Sequence, residues 1–291
     1  MKKNSKKRVV KRRSVHKHVY KAPKLSREAK VLALSGLKGK KRRKLSKLRD
    51  GYLKTGIDGL DTLLGEGIPT GNSVLVCGGP GSGKTILCLQ ICYNAAIRGE
   101  KCLYMSFEEP EERLRQHMWD FGWNSEELEK KGLLMIKRFD PFDITRSVEA
   151  LLTKAKKELL IDIDPVFFPN DFKPTRVVLD SMSAIAAAFV GRENSYRIYI
   201  EQLFRFFEEL GATSFLITET DNPENMGLTK SGVEGFLADG IILMHYVVKH
   251  GVRRHAIEIL KIRGGDFEKK KVEMNIVRGK GILIYSGKTV K

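Results

Sequence analysis

The run Gly78-Gly79-Pro80-Gly81-Ser82-Gly83-Lys84-Thr85 holds the residue types and spacing most able to do chemistry in this chain. It fits G-x-x-x-x-G-K-[ST], a phosphate-binding loop of nucleoside triphosphatases. Glycines let successive backbone N–H groups turn inward onto phosphate oxygens. Lys84 would reach the β- and γ-phosphates, and the Thr85 hydroxyl would ligate Mg2+. Context supports the match. Ser73-Val74-Leu75-Val76-Cys77 reads as a buried strand before the loop, and Thr85 to Cys92 reads as a helix after it. A helix N-terminus at the phosphates suits anion binding.

A phosphate loop also needs a carboxylate on the metal side. Arg176-Val177-Val178-Leu179-Asp180 is an apolar strand ending in an acid, so Asp180 would hold Mg2+ through water near Thr85. Many strands end this way, and only the loop upstream makes the pattern specific. Water must further be oriented or deprotonated. Ser106-Phe107-Glu108-Glu109-Pro110 closes a strand beginning near Lys101, which places Glu108 or Glu109 for that work. The same acids also suit the start of a helix, with Pro110 in its first turn and Glu111 and Glu112 structural. Thr218 and Glu219, at the end of a strand from Thr213, are expected beside the γ-phosphate as polar sensors. Lys261 and Arg263 share one side of a late strand. They are either surface charges or cations presented to a neighbouring subunit's triphosphate.

The elements that must position these residues alternate. Strands are expected near 73–78, 101–106, 133–138, 176–180 and 213–218, with helices at 84–98, 110–120, 144–158 and 195–210. That order predicts an α/β fold with a mainly parallel twisted sheet and helices on both faces. Beyond about Gly235 the helices stop. Strands at 241–247, 255–262, 271–276 and 282–285 predict antiparallel additions at one sheet edge. Residues 161–173 read as an inserted loop.

Charge divides the chain in two. Residues 1–50 carry 21 Lys and Arg against Glu28 and Asp50, leaving 32 basic and 33 acidic residues for 51–291. The first segment is therefore expected to be a basic, flexible arm, and 51–291 a folded domain. The arm has reason to meet a polyanion such as nucleic acid; the body has no such global reason. The four cysteines lie in apolar surroundings without metal-ligand spacing, as buried thiols in a reducing compartment. With no apolar segment after the basic N-terminus and no long apolar run, a soluble cytoplasmic protein without membrane contact is expected.

Together these residues resemble the single-domain, KaiC-like branch of the RecA superfamily of P-loop ATPases. The resemblance is carried by Thr55 to Asp61, Gly65 to Gly71, the phosphate loop, Ser106-Phe107-Glu108-Glu109, Asp180-Ser181, Gly235 to Ile242 and Lys261-Ile262-Arg263-Gly264. It implies a RecA-like core, MgATP as substrate with hydrolysis to ADP and phosphate, and homohexameric rings. It further implies that Lys261 and Arg263 act in trans. Within it, Arg253-Arg254-His255 occupies a region where an arginine is common.

Three functions fit. The first is a nucleotide-dependent ring switch with an unknown protein partner. The second is a RadA-like repair or recombination ATPase that binds nucleic acid through residues 1–50. The third is a slow nucleotide-binding scaffold. The loop at 221–233, which would line a DNA channel, offers one cation and two carboxylates, a poor phosphate track. Autophosphorylation competes with hydrolysis for the same phosphate, with Thr229 and Ser231 as loop hydroxyls. The residues themselves do not choose between ATP and GTP; ATP comes from the resemblance.

Overall fold

The computed structural model describes residues 51–155, 171–220, 232–249 and 251–290, with backbone alone at 151–155 and 249. These residues fall in one compact unit. The expected arm, most of the 161–173 insertion, and the loop with Thr229 and Ser231 lie outside the described residues.

In chain order, β1 (Tyr52–Leu53), α1 (Asp58–Leu63) and β2 (Ile68–Pro69) precede the loop strand β3 (Ser73–Gly78) and its helix α2 (Lys84–Ala96). Then come β4 (Cys102–Ser106), α3 (Glu111–Asp120), α4 (Ser125–Lys130), β5 (Leu134–Arg138) and α5 (Pro141–Ala155). The parallel part ends with β6 (Arg176–Asp180), α6 (Met182–Ala188), α7 (Glu193–Leu210) and β7 (Thr213–Glu219). After α8 (Val233–Leu237) the chain forms β8 (Gly240–Lys249), β9 (Val252–Ile262), β10 (Val272–Val277) and β11 (Gly281–Thr289).

The large sheet has the order β11-β10-β9-β8-β3-β7-β6-β4-β5. Strands β8, β3, β7, β6, β4 and β5 pair in parallel, while β9, β10 and β11 add antiparallel. This is the expected mixed architecture, with one correction: β8, expected among the antiparallel additions, pairs parallel with β3 and only the strands after it run antiparallel. Side-chain alternation explains why β3 is buried throughout and apolar from Val74 to Cys77. Val74 and Val76 join one core with Leu87 and Ile91 of α2, while Leu75 and Cys77 join the other with Leu203 and Phe207 of α7. All four cysteines are buried free thiols.

Register brings the functional strand ends level. Gly78 pairs with Glu219, Leu179 with Leu216, and Ser106 with Asp180. The acids of three strands therefore emerge on the edge where the loop turns into α2. The other end of β6 is anchored by Arg176, which is 2% exposed. Its Nη2 donates to Glu100 Oε1 at 2.7 Å and its Nη1 to the Lys54 carbonyl at 3.0 Å. A buried guanidinium requires such pairing.

Some boundaries differ from the sequence expectation. Helix α5 starts three residues before 144, because Asp140 Oδ1 accepts from the Phe142 N–H at 2.9 Å and Pro141 fits a first turn. Pro110 is the N-cap of α3 rather than part of its first turn. The short helices α1, α4, α6 and α8 are additional to those expected. Helix α6 is capped by Ser181, whose Oγ accepts from the Ala184 N–H at 3.2 Å.

Candidate nucleotide-binding site

The loop leaves β3 at Gly78 and enters α2 at Lys84. Gly81 (φ 74°) and Gly83 (φ 96°) are left-handed, which a side chain resists. Space forbids one as well. A Cβ on Gly81 would lie 2.7 Å from Tyr246 Oη, and one on Gly83 2.6 Å from Ile276 Cδ1. Strand β8, through Tyr246, and the antiparallel strand β10, through Ile276, thus press on the loop. Tyr246 also ties it down, donating from its hydroxyl to the Pro80 carbonyl at 3.0 Å.

Lys84 is buried, and its Nζ donates to the carbonyls of Gly78 at 3.0 Å and Gly79 at 2.9 Å. Glu219 Oε1 stands 4.0 Å away. Burial lowers the Lys84 pKa, and the carboxylates of Glu219, Asp180 and Glu108 oppose that shift. Thr85 Oγ1 donates to Asp180 Oδ2 at 2.9 Å, and the Tyr104 hydroxyl donates to the same oxygen at 2.6 Å. Burial pushes Asp180 up to about 6, against the two hydroxyl donors that favour its charged form.

The two glutamates diverge. Glu108 accepts from the hydroxyl of Ser181, the residue after Asp180. Glu109 turns toward α3, 3.0 Å from His117 Nε2 and 3.7 Å from Arg113 Nε. Glu111, as expected, is structural: it accepts from the Arg138 N–H at 3.0 Å and pairs with Arg115 at 3.4 Å.

These groups surround a cleft of about 360 Å3 that Lys84, Thr85, Glu108, Glu109, Asp180 and Glu219 line. The donor set fits Mg2+ bound together with a phosphate chain. Thr85 and Asp180 supply hard oxygen ligands, and the buried Ser82 hydroxyl inside the loop has no protein partner. Among the described residues no cluster of three or more His, Cys, Asp or Glu side chains is placed to hold a metal alone. The remaining ligands would be phosphate oxygens and water, the usual habit of Mg2+.

Of the expected site residues, Thr218 falls outside the cleft. Its hydroxyl lies 3.4 Å from Ser183 Oγ on the other face of the sheet, at a second cavity. Adjacent strand residues point to opposite faces, so only Glu219 of that pair reaches the loop. Lys261 and Arg263 also lie away from their own chain's cleft. Lys261 Nζ donates to the Ala238 carbonyl at 2.5 Å, and Arg263 Nη2 to the Phe236 carbonyl at 3.0 Å. The region before them is also in register: His255 pairs with Tyr246, Arg253 stacks on the Tyr246 ring at 4.9 Å, and Arg254 meets Glu273 at 3.1 Å. Tyr104, His117, Tyr246 and Ile276 were not singled out from the sequence, and Ser181 only as part of the Asp180-Ser181 strand end. Only Ser181 had a local signal, as the residue after the strand-end acid.

Residues 53–289 match the family described as ATPase: KaiC. The chain belongs to the KaiC family of ATPases. It is 32% identical over 240 residues to the circadian clock protein KaiC3 of Synechocystis sp., covering 80% of this chain but 45% of that one. The chain thus spans less than half of that relative. A UPF0273 protein of Thermotoga maritima is 33% identical over 241 residues, covering 80% of this chain and 95% of its own length. Among solved structures, a KaiC-like protein of Pyrococcus horikoshii superposes with a TM-score of 0.66 at 30% identity. That match covers 80% of this chain and 98% of the other. A KaiC-family core with RecA-like architecture therefore occupies most of the chain. Among the described residues no helix is long and apolar enough to cross a membrane.

Proposed function

We propose that this KaiC-family chain binds MgATP at the cleft and hydrolyses it to ADP and phosphate, within a ring of identical subunits. The observation that carries this reading is the contact of Thr85 Oγ1 with Asp180 Oδ2, 2.9 Å, level with Lys84 and Glu108. Loop residues 78–83 cradle the phosphates, and Lys84 holds the β/γ end. Thr85 and Asp180 hold Mg2+, which when bound neutralises phosphate charge. Glu108, held by Ser181, accepts a proton from the attacking water. The water oxygen bonds to the γ-phosphorus as the bond to the β–γ bridging oxygen breaks, and ADP leaves with that electron pair. Glu219 senses the terminal phosphate beside Lys84.

Lys261 and Arg263 would complete the site from the next subunit, six to a ring as the family resemblance implies. Conversion of the ring by hydrolysis makes it a switch for a protein partner. Autophosphorylation is the branch in which a hydroxyl, instead of water, takes the phosphoryl group. The domain boundary near residue 51 and a cytoplasmic setting belong to the same reading.

A RadA-like repair function is the second reading, favoured by the 21 basic residues in 1–50 against two acidic ones. In it the arm carries nucleic acid to the ring.

Radiolabelled ATP tests the chemistry. Wild type should release inorganic phosphate, and Asp180→Asn should not. Label retained on the protein, with no free phosphate, would replace hydrolase with autokinase. Absence of both would leave the nucleotide-binding scaffold.

A further inference from the structure

A cavity of about 650 Å3 lies across the sheet from the nucleotide cleft, between the end of β7, α6, the start of α7 and α8. That volume is in the range of small-molecule sites. Its apolar wall is built by Met182, Ala186, Phe189 and Val190, and Val190 is 80% exposed. The proposed hydrolysis uses none of these four residues.

One end of the cavity is rich in acceptors. Ser183 Oγ accepts from the Glu219 N–H at 2.8 Å and lies 3.4 Å from Thr218 Oγ1. Glu219 ends β7 and lines both the cavity and the cleft, with its Oε1 4.0 Å from Lys84 Nζ. Charge points the same way. Among the described lining residues, Glu193, Glu219 and Glu234 stand against one guanidinium, that of Arg197, which already meets Glu201 at 3.4 Å. Glu234 is buried and accepts from the Tyr196 hydroxyl at 2.5 Å, which holds its carboxylate at the wall. An ammonium group has three donors and no acceptor, so it matches a carboxylate flanked by two hydroxyl oxygens.

We propose that this cavity is an effector site for a small apolar amine. The ammonium sits at Ser183, Thr218 and Glu219, and the apolar body lies along α6. Occupancy reaches the other side of the sheet through Glu219, which stands by Lys84, the cation a triphosphate needs. An ammonium in the cavity draws that carboxylate to itself and frees Lys84 for phosphate. Amine and nucleotide therefore tighten each other's binding, by the same factor in both directions. The coupling rests on the nucleotide reading above; the amine site does not.

Calorimetric titration of the full chain with naphthylethylamine tests the site, with naphthylethanol and naphthylacetate as the neutral and anionic counterparts. The amine should bind with a dissociation constant of roughly 10 μM to 1 mM, and the other two at least roughly tenfold more weakly. Ala187→Trp, at an exposed position on the cavity wall, should abolish that binding. It should leave the circular dichroism spectrum and the affinity for a fluorescent ATP analogue unchanged. Thr218→Val, which keeps the shape, should weaken the amine at least roughly fivefold. With the amine saturating, wild type should bind the magnesium complex of the ATP analogue at least roughly fivefold more tightly. Equal binding of the three probes, binding that Ala187→Trp leaves intact, or no binding of the amine up to about 10 mM overturns the site. Amine binding that leaves the analogue's affinity unmoved overturns the route through Glu219. If the analogue fails to bind with or without the amine, the nucleotide reading falls, and the amine titration alone judges the site.

Discussion

The imidazole Nε2 of His117 stands 3.0 Å from Glu109 Oε2, while the adjacent Glu108 accepts instead from Ser181 beside Asp180. Two neighbouring glutamates therefore serve different sides of the cleft. Glu108 is held beside Asp180, and Glu109 is drawn onto α3. The two are not interchangeable.

From this division, Glu108→Gln should lower kcat by about 10²–10⁴-fold, the range for loss of a general base. Nucleotide affinity should change little. Glu109→Gln should cost under about tenfold. Steady-state phosphate release and nucleotide titration of each variant decide the matter. Equal losses, or the larger one at Glu109, would reverse the assignment.

Asp180 links function to stability. Burial lifts its carboxyl to about 6 from 3.8, so the native state binds this proton more tightly than the unfolded chain. Its contribution to stability is full below about pH 4 and is lost as pH rises through about 6. The loss amounts to about 3 kcal/mol at most. Asp180→Asn keeps an acceptor for Thr85 and Tyr104 but removes the charge. Urea unfolding without ligand should show the variant gaining on wild type between about pH 4 and pH 7. The same variant should lose magnesium-dependent stabilisation by nucleotide. An unchanged difference across that pH range would mean that Asp180 titrates normally.

How much of this was legible in the sequence follows from which interactions are local. Strand β3, the loop and α2 form one contiguous segment, and alternation in β3 already implied burial on both faces. Asp180 ends a recognisable strand and Glu108 follows one by two residues, so both could be located along the chain. For Thr218 the sequence showed only a polar strand end, while the pleat turns its hydroxyl toward Ser183 and Glu219 toward the loop. His117, Tyr104 and Tyr246 act through partners 8, 76 and 166 residues away. No periodicity carries that information. Helices α6 and α8 have 7 and 5 residues, too few for a helical period to register.

The pair Arg176–Glu100 makes a prediction at the opposite end of β6 from the chemistry. Arg176→Ala takes the buried guanidinium from Glu100 and the Lys54 carbonyl and leaves them only the longer contacts of Thr175 and Arg98. Stability should fall by about 3 kcal/mol, the low end for a broken buried pair because Glu100 is partly exposed. The affinity of the remaining folded protein for nucleotide should hold. Denaturant midpoints and nucleotide titration below the transition separate the two effects. A variant as stable as wild type would mean that water replaces the guanidinium there.

The basic segment 1–50 separates the ring switch from the nucleic-acid reading. Contacts by 21 Lys and Arg in residues 1–50 would release counterions, so affinity for a short duplex must depend steeply on salt. With about 6–10 phosphates contacted, binding should weaken by about 10³–10⁵-fold between about 50 and 200 mM salt. A chain beginning at Gly51 should lose this binding while keeping nucleotide-dependent assembly, since 51–291 has 32 basic and 33 acidic residues. Fluorescence anisotropy of labelled DNA and RNA across a salt series makes the measurement. Tight, salt-sensitive binding that also accelerates phosphate release would move the function to the repair type. Binding that leaves turnover untouched would make the arm a tether, with the switch acting on a protein. Duplex binding that survives removal of the arm would overturn the division of charge on which both outcomes rest.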